Sequence, residues 1–151
     1  SQVYYNEIAQ INDPKLLVQS YTFWVKRLFI FSLAGWGLLY LTPSTLITYI
    51  LGGKWSGLLD IMKIISPWMG IMFISSSLSY IFIRLGKQKE IFFFDIIHLL
   101  LILLAIYFGN YIFNNEFSTL YVITFVQSTF YIVSLLLAYS FLTKNLKQEK
   151  V

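Results

Sequence analysis

Along the chain, long uncharged runs alternate with short polar connections, at a spacing too wide for strands and suited to membrane helices. Four runs stand out: Leu28 to Gly53, Ile64 to Ile83, Ile96 to Asn115 and Phe117 to Thr143. At about 1.5 Å per residue, about 20 apolar residues cross a hydrocarbon core of about 30 Å, and each run reaches that length. The first is too long for one span and contains Pro43, which lacks an N–H and clashes with the preceding turn. The pattern therefore predicts spans over 22–41, 58–84, 91–113 and 117–143, with a short interfacial segment from Thr45 to Leu51. Before the first span, Asn12-Asp13-Pro14 reads as a helix start, with Asp13 as cap and Pro14 in the first turn. Leu16, Leu17, Ser20, Tyr21 and Trp24 recur at helical spacing, so 1–21 is expected to be a cytoplasmic or interfacial amphipathic segment. Residues 1–11 are too polar to span alone and read as the exit of an earlier helix. Together with a start at Ser1 rather than Met, that suggests a fragment or a processed chain.

Composition agrees with a polytopic all-α membrane protein. Hydrophobic residues make up 58% of the 151 and charged ones only 12%, with a mean hydropathy of +0.70, outside the range of a soluble domain. Aromatic residues reach 19%, useful where protein meets lipid headgroups. Zero Cys excludes disulfides and thiolate chemistry. The net charge of +4 is modest, and in a membrane protein it reports orientation rather than a nucleic-acid partner. If the connections alternate sides, nine basic residues (Lys15, Lys26, Arg27, Arg84, Lys87, Lys89, Lys144, Lys147 and Lys150) fall on one side and only Lys54 and Lys63 on the other. The positive-inside rule then places both termini, the basic tail 144–151 and the 84–90 turn in the cytoplasm.

Candidate chemistry is sparse. Asp95 and His98 share a helix face at i, i+3, a spacing that suits a proton relay or half a metal site. Asp95 lies only about 7–8 Å beyond Glu90, within reach of the interface, and no second such pair completes a metal site. A structural role and a role coupled to ion or substrate movement both stay open. Lys26 and Arg27 suit anionic lipid headgroups, or a substrate phosphate. Asp60 and Lys63 are spaced for a helix-end ion pair. Ser75, Ser76, Ser77 and Ser79 are either a close-packed helix interface or the polar wall of a cavity, with Pro67 and Gly70 nearby where the helix could bend. Gln127, Ser128 and Thr129 repeat that polarity in the last span and carry the same two readings. No triad, phosphate loop or carboxylate pair is placed for catalysis, so neither an enzyme nor a cofactor is expected.

Several pieces, taken in order, resemble one family. Gln2-Val3-Tyr4-Tyr5 with Ile8-Ala9-Gln10-Ile11-Asn12-Asp13-Pro14 is similar to the cytoplasmic stretch before the last four helices of bacterial polysaccharide flippases, the Wzx-like members of the multidrug/oligosaccharidyl-lipid/polysaccharide exporter superfamily. Leu51-Gly52-Gly53-Lys54-Trp55 resembles that family's turn between its ninth and tenth helices. Leu78-Ser79 followed by Leu85-Gly86-Lys87-Gln88 resembles the end of the tenth helix and its glycine-containing turn. One departure is Ser77-Leu78-Ser79, where the family often has Pro-Leu-Ser.

The resemblance covers nearly the whole chain but only about the last third of a family member. It implies a transporter with two six-helix lobes around a central cavity, in the bacterial cytoplasmic membrane. Such a transporter moves undecaprenyl-pyrophosphate-linked oligosaccharide between leaflets by alternating access, and this chain would supply the last four helices beside the missing N-terminal ones. Lys26, Arg27, Ser75, Ser76, Ser77, Asp95 and His98 are then the cavity or gate candidates. A reading from another class is a self-contained four-helix membrane scaffold, in which residues 1–11 form a solvated arm. A small dimeric drug exporter would need a carboxylate at the membrane centre, and Asp95 lies too near the interface.

Overall fold

The computed structural model describes residues 2–113 and 115–148. In chain order they form α1 (Gln2–Gln10), α2 (Pro14–Leu41), α3 (Ser44–Leu51), a single 3-10 turn (Gly53–Trp55), α4 (Leu58–Leu78), α5 (Tyr80–Arg84), α6 (Gln88–Phe113) and α7 (Glu116–Gln148). Among the described residues there is no strand. Four stretches are long and apolar enough to cross a membrane: Pro14–Leu41, Gly53–Arg84, Gln88–Phe113 and Glu116–Leu146. The protein is all-α, with four candidate spans. Lys150 of the predicted basic tail lies outside the described residues, while α7 itself runs five residues past the expected end at Thr143.

Local chemistry sets the helix ends. The Asp13 carboxylate accepts the Lys15 N–H at 2.8 Å and Pro14 opens α2, as the sequence predicts. At the far end the Thr42 hydroxyl donates back to the Leu38 carbonyl at 2.7 Å, and Pro43 stops the helix. The expected boundary between residues 21 and 22 marks no break, because α2 is continuous from Pro14. After α5 the chain reverses at Gly86, whose φ of 66° an L side chain rarely adopts. There Lys87 N–H reaches Phe82 O at 2.8 Å and Gly86 N–H reaches Ile83 O at 3.1 Å, the paired bonds that close a helix on a left-handed residue.

The second span is interrupted in its helical hydrogen bonding, though not where its proline stands. Pro67 lies inside α4 and has no N–H, so the Lys63 carbonyl loses its donor one turn on. Two hydroxyls replace that donor: Ser66 Oγ and Tyr40 Oη each donate to Lys63 O at 3.0 Å. With the carbonyl satisfied, α4 continues through the proline. The interruption comes at Ser79, between α4 and α5, where the Ser79 N–H bonds Ser76 O at 3.4 Å and its hydroxyl donates to the same oxygen at 2.9 Å.

α4 packs against α2 on one side and α7 on the other, whereas α6 meets the rest mainly through α7 and the turn after α5. The α2–α4 contact is built on a large ring over a small residue. Trp36 of α2 donates its indole N–H to Ser66 O at 2.8 Å, and Ser32 Oγ donates to Gly70 O at 3.2 Å. A Cβ at Gly70 would lie 2.6 Å from the Trp36 ring, so only glycine admits the indole there. The largest apolar cluster gathers at the α1 end, from Tyr4, Ile8, Leu17, Tyr21, Ile74, Leu78, Ile81, Phe82, Ala138 and Leu142.

Gly70→Ala is therefore expected to destabilise the bundle by about 1–3 kcal/mol through overpacking. Thermal unfolding in detergent measures this, and Gly35→Ala, at a position with open space around it, serves as the matched control.

Candidate functional site

The α1 end is tied down by polar contacts as well as by the apolar cluster. Glu7 of α1 accepts the Ser20 hydroxyl on Oε1 at 2.5 Å and the Trp24 indole N–H on Oε2 at 2.8 Å, both from α2. Arg84, at the end of α5, donates from Nε to Ile8 O at 3.3 Å and from Nη2 to Ile11 O at 3.1 Å. A cation on the last carbonyls of α1 satisfies groups that the helix cannot pair itself and complements its dipole. Residues 2–10 are thus part of the packed structure, with Tyr4 and Ile8 fully buried. Lys26 and Arg27 lie beside this assembly on exposed positions, and the Arg27 guanidinium sits over the Trp24 ring at 5.5 Å. Within the amphipathic run Leu17, Ser20 and Tyr21 are buried, while Leu16 turns outward.

The serine run behaves largely as self-satisfied helix. Ser77 Oγ donates to Phe73 O at 2.7 Å and Ser76 Oγ to the same carbonyl at 3.3 Å, which makes both hydroxyls inexpensive in an apolar medium. Ser75 alone of the three is buried, while Ser76 is exposed.

His98 meets a partner on another helix. Its Nε2 stands 2.6 Å from Gln127 Oε1, a hydrogen bond whose direction follows the imidazole tautomer. The imidazole stacks on Phe130 with centroids 3.6 Å apart, and Phe94, one turn earlier on α6, stacks on Phe130 at 4.0 Å. Two near-parallel rings so close to a third must occupy its opposite faces, so Phe130 is inserted between them. His98 lies ten residues past Gln88 and Gln127 eleven past Glu116, on antiparallel helices. At the helical rise these are depths of about 15 Å and about 17 Å from opposite ends, which puts the pair near the centre of a bilayer of about 30 Å. Asp95 is exposed on α6 and forms no ion pair with His98. The polar residues in mid-span were visible in the sequence, and the pairing of His98 with Gln127 was not.

None of the seven gate candidates lines the cavities between the helices, and they do not converge on one site. The cavity between the first halves of α4 and α7 is about 780 Å³. Asp60, Lys63 and Pro67 of α4, Tyr121, Thr124 and Ser128 of α7, and Tyr40 of α2 contribute to its walls. The ion pair expected between Asp60 and Lys63 does not form. Among the described residues the one salt bridge is Lys87–Glu90 at 2.6 Å, and Lys63 Nζ instead stands 5.9 Å from the centre of the Tyr40 ring. Thr124 Oγ1 and Ser128 Oγ are buried without a hydrogen-bond partner. Among the described residues no cluster of His, Asp and Glu could hold a metal ion. No protein-family model matches the chain, and no curated protein or solved structure is similar to it.

Burial in the cluster holds the Tyr4 phenol above its ordinary value of 10.0, with Tyr21 and the Glu7 carboxylate acting in the same direction. A raised value means that the folded state resists ionisation. The contribution is complete below about pH 10 and is lost as pH rises beyond it. Because the Tyr4 hydroxyl is buried without a partner, Tyr4→Phe is expected to be neutral or to stabilise by up to about 1 kcal/mol. It should also move the release of α1 to higher pH, measured as the pH at which a protease cuts the link between α1 and α2.

Proposed function

We propose that this chain is the C-terminal four-helix part of a flippase or exporter in the bacterial cytoplasmic membrane, with both termini in the cytoplasm. In this reading it moves polysaccharide or undecaprenyl-pyrophosphate-linked oligosaccharide between leaflets by rocking of two lobes, and carries out no covalent chemistry. The observation that supports it best is the docking of α1. A self-contained scaffold calls for residues 1–11 as a solvated arm. Instead Tyr4 and Ile8 lie in the apolar cluster, and Glu7 and Arg84 fasten the segment on two sides. A chain arriving from further helices would be anchored to this lobe in that way. The His98–Gln127 pair adds a second support, because polar groups near the centre of a membrane are costly and are retained where a mechanism uses them.

Two measurements test the reading. An antibody against the Lys144 to Val151 tail is expected to detect, in native membranes, a protein severalfold heavier than 17.7 kDa. A band at 17.7 kDa would return the scaffold reading to first place. In the complete protein, His98→Ala and Arg27→Ala are each expected to reduce surface polysaccharide severalfold. Normal polymer from normally expressed variants would remove both residues from the transport pathway.

A further inference from the structure

The cavity between α4 and α7 combines features that the transport reading does not use. It opens at the end that carries the 52–57 and 114–116 connections, remote from the apolar cluster around α1. Asp60 and Lys63 stand on one face of α4, and neither side chain pairs with the other or hydrogen-bonds to any described residue. A carboxylate without an ion-pair partner and an ammonium that meets only the Tyr40 ring, one turn apart beside apolar walls, favour a ligand that carries both opposite charges. Deeper in the cavity, Thr124 is only 7% exposed, and its hydroxyl and that of Ser128 one turn on are buried and without partners. Both oxygens are covered as they stand, so each reaches a ligand in the cavity only after a rotation about χ1, and can then donate to its carbonyls.

The order of these groups along the membrane normal is informative. Asp60 lies two residues into α4, Lys63 five, Thr124 eight residues into α7 and Ser128 twelve. At the helical rise these are depths of about 3, 8, 12 and 18 Å. The cavity thus carries, from the helix ends inward, an anion, a cation, two covered hydroxyls and apolar surface. A phospholipid with an amine headgroup presents the complementary sequence of ammonium, phosphate, ester carbonyls and acyl chain. The volume of about 780 Å³ falls in the usual range of small-molecule sites, enough for a headgroup with its ester region.

We propose that this cavity is a binding site for a zwitterionic phospholipid bearing a primary ammonium, such as phosphatidylethanolamine. Asp60 accepts from the ammonium, Lys63 holds the phosphate, and Thr124 and Ser128 donate to the ester carbonyls. A quaternary ammonium cannot donate to Asp60, so the site distinguishes ethanolamine from choline headgroups by hydrogen bonding.

The test uses the purified full chain, delipidated and titrated with phosphatidylethanolamine, phosphatidylcholine and phosphatidylglycerol of identical acyl chains. Retained lipid is read by native mass spectrometry, which needs no transport and is therefore independent of the flippase reading. The wild-type chain is expected to retain the ethanolamine lipid roughly tenfold over the other two, the difference that one charged hydrogen bond makes. Asp60→Asn should remove the preference for ethanolamine over choline while leaving phosphate-dependent retention. Lys63→Gln should weaken both zwitterionic lipids together, and Lys63→Arg should restore them. Equal retention of all three lipids by the wild-type chain, or a preference that survives both Asp60→Asn and Lys63→Gln, would overturn the proposal. The wild-type comparison decides the matter even if a variant fails to fold.

Discussion

A backbone carbonyl without a donor is costly wherever a helix enters an apolar medium, and in this chain Pro67 releases one about 8 Å into α4, at Lys63. Ser66 supplies one donor from the same helix and Tyr40 supplies another from α2. The second bond makes the repair of α4 a contact between helices. Trp36 and Ser32 extend the same seam, each donating to an α4 carbonyl. α2 and α4 are therefore held in register by side chains of one addressed to the backbone of the other. The register is directional in a way that apolar packing in lipid is not.

The spans and their ends were largely legible in the sequence. Uncharged runs of sufficient length, Asp13-Pro14 at a helix start, Pro43 at a helix end and Gly86 at a tight turn all act within a few residues, where sequence and conformation are directly coupled. The site was less legible, because its parts depend on which helix faces which. His98 and Gln127 are each visible as polar residues in apolar runs, but their pairing follows only once α6 packs on α7. Arg84 read as a topology signal, and its contacts with α1 follow only once α1 packs against α5. The proline suggested a place where the helix could bend, and the structure carries the helix through it, interrupting the hydrogen bonding at Ser79 instead. Sequence shows where a donor is missing and not whether another helix provides one. The i, i+3 spacing of Asp60 and Lys63 likewise permits a bond that the structure does not make.

One stripe of α7 connects the two ends of the molecule. Residues 117, 121, 124 and 128 face the cavity, and the same helical face continues to Ala138 and Leu142 in the apolar cluster. Along this stripe the partner changes from open space to close packing. Thr124 and Ser128 lack partners in the first half, whereas at the α1 end Glu7 and Arg84 find theirs and the Tyr4 hydroxyl does not. Stability and chemical opportunity are thus separated along the membrane normal. The separation accords with a general pattern in which binding regions are drawn from the less densely packed parts of a fold.

The cavity also has a mechanical meaning. A bilayer presses laterally on whatever it contains, and the pressure differs with depth. A bundle close-packed at one face of the membrane and open near the other yields unequally to that pressure, because side chains already in contact resist displacement and helices separated by an exchangeable ligand do not. The thickness and curvature of the surrounding membrane therefore act on this chain as a load.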